Sequence, residues 1–411
     1  MRILCVFSQY NYGDPSRGEG YEYVNFIPSL RRLGHQVQFF ENWHRSCYRD
    51  FADLNKSFLR AVEEVQPEVI LSVQVNYEIW SETWEMLRDF GRAATVNWAT
   101  DDSWRYSQFS RFMAPFFHAF TTTYPSRYAQ YRKDGIRHVL LTQWGVNDDI
   151  LQPPIPAADC QYPVTFIGTA HSNRRAWVDA LRKRGIKVIC FGYGWEHGPI
   201  PAADIPKIIQ SSIISLNFSG SGMVLEGIRF RKTNQIKART FEIPGAGGFL
   251  LSEWADGLER QYVPGREIAV FHNQEDLEGQ IRHYLANPTS RDTIAQAGYT
   301  RTRAEHTYDR RLAEVLDFTL KQRDNYFARC GQMSSGKFDW NKLNQAVRSH
   351  RPTGVQLILK HSLTFLCSRI WGPVRGPHAA RRLAFELSWR LAGSKTYSAS
   401  GWPGRMFYEI S

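Results

Sequence analysis

Short apolar runs alternate with longer amphipathic stretches along this chain, in two series separated by a proline-rich break, and that rhythm limits the folds open to it. Ile3–Phe7, Gln36–Phe40, Val69–Val73, Ala94–Trp98, Ala119–Thr122 and His138–Leu141 read as strands. Between the first of them lie helical patterns near Tyr21–Leu33, Phe51–Val65 and Ile79–Phe90. Apolar runs of this length are strands buried on both faces, and helices between them imply parallel pairing with right-handed crossovers. The pattern stops at Gln143–Asn147, passes Pro153, Pro154 and Pro156 without periodicity, and restarts at Val164–Gly168. Strands at Lys187–Phe191, Ile213–Asn217, Gly248–Leu251 and Glu267–Phe271 follow, with helices at Asn173–Arg184, Ile205–Gln210, Gln235–Ile243 and Glu275–Ala286. Helices at Ser290–Ala297 and Tyr308–Phe327 complete the second series. The expected fold is α/β: two Rossmann-like doubly wound parallel-sheet domains facing a cleft, plus a basic helical C-terminal extension. The expected boundaries are residues 1–145, a linker 146–160, residues 161–320, and the extension 321–411.

Charge sharpens this division. The 411 residues carry a formal net charge of +11, and residues 321–411 hold 15 Lys and Arg against 4 Asp and Glu, so residues 1–320 are neutral. The body therefore needs no polyanionic partner. The tail lacks the aromatic-and-basic surface motifs of nucleic-acid modules, and no nucleic acid is expected. Six scattered cysteines form no C-x-x-C pair or Cys/His cluster, so neither a structural metal nor a disulfide framework is expected. No apolar run reaches spanning length and Ile3–Phe7 is too short for a signal core, which predicts a cytoplasmic protein.

Ligands of open parallel sheets bind beyond the carboxyl ends of the strands. Neither G-x-G-x-x-G nor a P-loop occurs, so phosphate-binding candidates come from the second series. Gly168 ends a strand, and Asn173, Arg174 and Arg175 open the next helix, where free N–H groups and two guanidinium groups suit a diphosphate. The competing reading makes Ser172 or Asn173 a simple cap beside solvated arginines. Lys237, Arg239 and Glu242 form a second cluster, able to neutralise phosphates and accept ribose hydroxyls. Its competing reading is an Arg239–Glu242 pair on a surface helix. In the first series, Asp101 and Asp102 follow the strand Ala94–Trp98, where one could deprotonate an acceptor hydroxyl or Asp102 could cap the next helix. Trp98 and Trp104 would be stacking walls beside them, and Tyr10–Glu22 a lid.

The stretch from Lys237 to Arg311 resembles the donor-binding half of group 1 glycosyltransferases with the GT-B fold, closest to the spore-maturation (CgeB-like) branch. Ala238–Glu242, Gly247–Leu251, Tyr262–Ile268, Asp276-Leu277, Ile294–Tyr299 and Glu305–Tyr308 carry the resemblance; Val164–Gly168 and Gln143–Asn147 also fit, the latter at the family's hinge. It implies transfer of a sugar from a nucleoside-diphosphate donor to a hydroxyl of a glycan, lipid-linked or protein acceptor, with no cofactor beyond that co-substrate and no bound metal. Glu242 matches the second glutamate of the family's E-x7-E motif, which holds the donor ribose, whereas Asn234 stands where the first glutamate is expected. Lys237 and Arg239 match the diphosphate-neutralising positions, with Arg239 counted among the catalytic groups. Arg175 matches a donor-loop arginine, and Tyr193 lies where the base is received. A non-catalytic sugar-nucleotide or glycan binder is the alternative.

The tail interleaves Lys360, Arg369, Arg375, Arg381, Arg382 and Arg390 with apolar residues over 353–392. Basic amphipathic helices of this kind suit an anionic membrane surface, which would make the protein peripheral on the inner face of the plasma membrane and its product a cell-surface polysaccharide. Packing on the body is the competing reading.

Overall fold

The computed structural model describes residues 1–171, 173–226, 229–330 and 338–409. They form two compact units: residues 1–122, 127–142 and 312–411, and residues 123–126 with 143–311.

The first unit is built on six strands: β1 (Arg2–Phe7), β2 (Gln36–Glu41), β3 (Val69–Ser72), β4 (Ala94–Trp98), β5 (Ala119–Thr122) and β6 (Val139–Leu141). They pair in the order β2-β1-β3-β4-β5-β6, all parallel. β3, β4 and β5 are buried along their whole length, which is why their sequences are unbroken apolar or small-residue runs. The helix Phe51–Val65 shows how local chemistry sets bounds. The Asp50 carboxylate accepts from the Asp53 N–H, and Gln66 leaves the helix in the left-handed region just before Pro67.

The second unit contains β7 (Tyr162–Ile167), β8 (Val188–Phe191), β9 (Ser212–Asn217), β10 (Gly220–Glu226), β11 (Arg229–Asn234), β12 (Leu250–Glu253) and β13 (Ala269–Phe271). Five pair in parallel in the order β13-β12-β9-β7-β8, and β10 and β11 form a separate antiparallel pair. Strand order reverses around β7 and β9, so the crevice outside their carboxyl ends is the expected ligand position.

Three segments differ from the sequence expectation. Residues 146–160, expected as an interdomain linker, belong to the second unit. The fully buried Arg291 holds them there, donating to Ile155 O at 2.9 Å while also binding Ser212 O and Ile213 O. A buried guanidinium needs such acceptors, and these come from the segment and the edge of β9. Gly247 completes the seat: its φ is +73°, and a Cβ there would stand 2.7 Å from the Gln152 and Pro153 carbonyl oxygens. The C-terminal residues 321–411, expected as an extension, cluster with the first unit, where Leu343, Phe385, Tyr397 and Ala399 share a core with Phe51, Tyr77 and Trp80. Finally, the helix expected over Gln235–Ile243 runs instead from Arg239 to Gly245, because β11 extends to Asn234 and residues 235–238 form a loop.

Candidate functional site

The carboxyl end of the second sheet gathers three loops. After β7 the chain turns through Gly168–His171 into the helix Arg174–Lys183. Asn173 precedes that helix without a side-chain cap bond, and Ser172 lies outside the described residues. The loop after β8 is tied to it, with Ala170 N–H donating to Tyr193 O at 2.9 Å and the Trp195 indole N–H to Gly168 O at 2.8 Å. Gly192, at φ +124°, allows this approach, since a Cβ would lie 2.4 Å from Gly168 O. Arg175 donates to Gly194 O and lies over the Trp195 ring, so its guanidinium clamps the two loops together. Tyr193 projects from the same loop and is 55% exposed.

The third loop leads from β11 to the helix Arg239–Gly245. Asn217, the last residue of β9, donates to Thr240 Oγ1 at 3.2 Å and to Ser252 Oγ at 3.0 Å, which places the start of that helix over the strand reversal. Arg239 and Glu242 form the i, i+3 ion pair at 2.6 Å, but on a buried helix rather than a surface one. Arg239 also lines a narrow crevice with Thr165, Ile167, Ser215 and Leu216 of β7 and β9. Lys237 sits in the loop, two residues before the helix.

Electrostatics bring these loops to one place. The His171 imidazole is held below its ordinary pKa by burial and then by the charges of Arg174 and Lys237. The charges of both cations thus reach His171, and a cluster of positive charge at this sheet end favours an anion such as an oligophosphate. Arg174 is itself desolvated, which lowers its pKa, while the charge of Glu253 pulls the other way. Its guanidinium donates to Thr169 O at 3.1 Å and lies over Phe166.

Glu253 was not found from the sequence. At the end of β12 this buried carboxylate accepts from the Ser219 N–H at 2.9 Å and the Gly220 N–H at 3.2 Å. Asn234 donates to Glu253 Oε1 at 3.4 Å and to Trp254 O at 3.0 Å, so the side chain in the place of the expected first glutamate is bound to another carboxylate. A terminal Glu in a strand reads as a boundary residue, and only tertiary structure shows which segments meet there.

Gly168, Asn173, Arg174, Arg175, Tyr193, Lys237, Arg239 and Glu242 thus lie on the loops at this end of the second sheet or on the helices they open, and Asn234 ends β11 just before the third loop. His306 and Tyr308 do not join them: both are buried, and His306 binds Gln261 O at 2.8 Å with its pKa pushed down to about 4 by burial and Arg311.

At the carboxyl end of the first sheet, Asp101 and Asp102 follow β4. Asp102 is 1% exposed, with Ser110 Oγ at 2.5 Å and the Tyr131 hydroxyl at 2.9 Å on its two oxygens. Burial raises its pKa from an ordinary 3.8 to about 6 against the bonds from Ser110, Thr122 and Tyr131. Asp101 precedes the helical turn without a side-chain cap bond. Its charge reaches Glu22, in the first turn of the helix Tyr21–Arg32, whose pKa rises to about 7 through burial and then Asp101. Trp98 is no stacking wall, because it is fully buried with its ring 5.0 Å from Phe26. The loop before Glu22 closes on itself, with Asn11 Nδ2 donating to the Arg17, Gly18 and Glu19 carbonyls.

The state of Asp102 yields a first prediction. A carboxyl group whose folded pKa lies above its unfolded value stabilises the fold below about pH 4 and loses that contribution as pH rises through about 6. Asp102→Asn should remove this part of the pH dependence and match or exceed wild-type stability at pH 7. Asp102→Ala should cost about 1–3 kcal/mol for each stranded hydroxyl. Denaturant melts between pH 4 and 8 check both, and an Asn variant as damaged as the Ala one would show that the carboxylate charge is itself required.

Among the described residues no group of three or more His, Cys, Asp or Glu side chains is placed to hold a metal ion. Residues 174–317 match the family model described as "Glycosyl transferase-like". Solved structures resemble the chain over most of its length. The catalytic domain of starch synthase IV from Arabidopsis thaliana, bound to ADP and acarbose, aligns with a TM-score of 0.54 at 9% identity, over 78% of this chain and 99% of that one. Sucrose-phosphate synthase from Thermosynechococcus elongatus aligns at 0.52 and 12% identity, over 80% and 100%. The fold is GT-B. HepE from Anabaena in complex with UDP also shares this GT-B fold, at 0.51 and 12% identity over 77% of this chain and 100% of that one. Comparison with curated proteins finds no match.

Proposed function

We propose that the protein transfers a sugar from a nucleoside-diphosphate donor to a hydroxyl of a glycan, lipid-linked or protein acceptor. The observation that carries this reading is the set of cations Arg174, Lys237 and Arg239 on the loops and helix starts at the strand reversal of the second unit, with Arg239 lining the crevice beside β7 and β9. As the bond to the anomeric carbon breaks, negative charge develops on the leaving diphosphate, and preplaced cations and loop N–H groups stabilise it. Glu242, at 9% exposure and paired with Arg239, accepts ribose hydroxyls in this reading, and Tyr193 covers the base. Asn234, held by Glu253, orients the donor sugar by hydrogen bonding rather than by charge. These cations do the work that a metal would otherwise supply, so the reaction is metal-independent.

On the first unit, Asp101 with Glu22 receives the acceptor proton. Glu22, with a pKa raised to about 7, is poised to exchange protons near neutrality, whereas both Asp102 oxygens are already engaged. The match over residues 174–317 and the UDP and ADP held by GT-B neighbours support the donor class. The resemblance of 237–311 to the CgeB-like branch supports hexosyl transfer toward a cell-surface polysaccharide.

A thermal-shift panel of UDP, GDP, dTDP and CMP tests the donor class. One nucleoside diphosphate at a hundredfold excess over its Kd should stabilise the protein by about 2.7 kcal/mol. Equal indifference to all four would remove the reading. Binding without release of nucleoside diphosphate from any donor sugar would favour a binding protein.

A further inference from the structure

The segment Gly354–Ala392 is helical but broken at Gly372, where φ is +81° and ψ 168°. Pro373 follows and cannot continue the helix. The result is a pair of arms, residues 354–371 and 373–392, packed closely on each other. A Cβ at Gly376 would lie 2.4 Å from Ser368 Cα, so only glycine permits this approach. Cys367 of the first arm, Ala380 and Ala384 of the second, and Met406 and Phe407 form the small core between them. The second arm is rooted in the first unit, with Phe385 5.9 Å from the Tyr77 ring.

The first arm buries one side and turns the other outward, and the outward side is apolar. Val355 is 76% exposed, Ile358 69%, Phe365 59%, Leu366 58% and Ile370 69%. Trp371, at the turn, is 52% exposed and Val374 just past it 79%. Isolated exposed apolar residues are ordinary, but a row of them along one helix face is not. The charge beside this row has a single sign. Residues 354–392 contain six Lys and Arg and only Glu386 as an acid. Among the described residues Arg369, Arg375 and Arg382 form no ion pair with a carboxylate, and all three are exposed.

Three occupants compete for such a face. A nucleic acid would pair with the arginines but leave the apolar row in water. A second copy would cover the row but bring two cationic segments together, a repulsion that the lone acid Glu386, already paired with Arg390, does not relieve. An anionic lipid surface satisfies both features, because the apolar row enters the acyl boundary while arginines meet headgroups and a tryptophan sits at the interface. No helix among the described residues is long and apolar enough to cross a membrane, so the contact is interfacial.

We propose that the helical hairpin 354–392 docks the protein on an anionic membrane surface, with Ile358, Phe365, Ile370 and Trp371 inserted and Arg369, Arg375 and Arg382 at the headgroups. This goes beyond the transferase reading and does not depend on it. If both hold, the acceptor is one presented at the membrane.

Full-length protein is tested by flotation with phosphatidylcholine vesicles, with and without phosphatidylglycerol. Wild type should float only with phosphatidylglycerol, and less as salt rises. Ile358→Asp with Phe365→Asp should lower the floated fraction about tenfold or more with an unchanged melting curve, as both side chains are solvent-facing. Should that double variant misfold, Arg369→Gln with Arg382→Gln supplies the second arm, with partial loss and a weaker salt dependence expected. Wild type that stays with the soluble fraction overturns the proposal. So does flotation equal on neutral vesicles, flotation that neither pair of substitutions changes, or a sedimentation-detected dimer that the aspartates dissociate without any effect of lipid.

Discussion

A chain ended after residue 337 is expected to lose the folded first unit rather than shed a tail. Leu343, Tyr397 and Ala399 are wholly buried in the same core as Phe51, Phe58 and Trp84. His350 packs against Trp80 at 4.9 Å between ring centroids and bonds Ala399 O at 2.9 Å, and Tyr408 packs on Phe51 at 4.9 Å. The Tyr408 hydroxyl also donates to Arg45 O and Tyr48 O, and Lys342 pairs with Glu85 at 2.7 Å. Deleting one large buried side chain costs about 2–5 kcal/mol. Removing several together exceeds the roughly 5–15 kcal/mol by which a domain is stable. The truncated protein should therefore be insoluble, or lack a cooperative transition and bind a hydrophobic dye. A soluble truncated chain melting within a few degrees of the full protein would refute this. Tyr397→Ala, made in the intact chain, should act in the same direction with a loss of about 3–5 kcal/mol.

The sequence offers this rooting as one of two readings, beside membrane binding, and does not decide between them. Apolar residues occur on both faces of the arms, so periodicity cannot say which face the body takes, and net charge says nothing about packing. The break between the arms has a local cause, because Gly372-Pro373 cannot stay helical. Strands such as Ala94–Trp98 were legible for a plain physical reason: a parallel strand covered on both faces must be apolar or small throughout. The helix Pro125–Lys133 was missed because only Tyr131 of its residues is buried, leaving no apolar period. The pair β10–β11 was missed because Gly220 and Gly222 make its start look like a loop. At the site, Arg174 and Lys237 were legible as cations beside strand ends. Glu22 and Glu253 were not, since burial and neighbouring segments, rather than residue type or spacing, give each its character.

That distinction sets the decisive test of the proposed donor site. Lys237→Ala should lower kcat about 10²–10³-fold, the usual effect of removing one preorganised group that meets charge developing in the transition state. The variant should still fold, because Lys237 lies in a loop outside the helix core. Arg174→Ala should reduce turnover at least as much, but it also gives up the bond to Thr169 O, so its melting curve must be compared first. A second readout does not depend on turnover. His171 is held below its ordinary pKa by burial first and by Arg174 and Lys237 after that. Removing the Lys237 charge should therefore raise the His171 pKa, which NMR titration of the imidazole reports directly. The two results separate geometry from chemistry. A risen His171 pKa with wild-type turnover would confirm that the cations converge while denying them a part in catalysis. An unmoved pKa would show that Lys237 does not reach His171, and the charge-stabilised departure of a diphosphate from this sheet end would lose its basis.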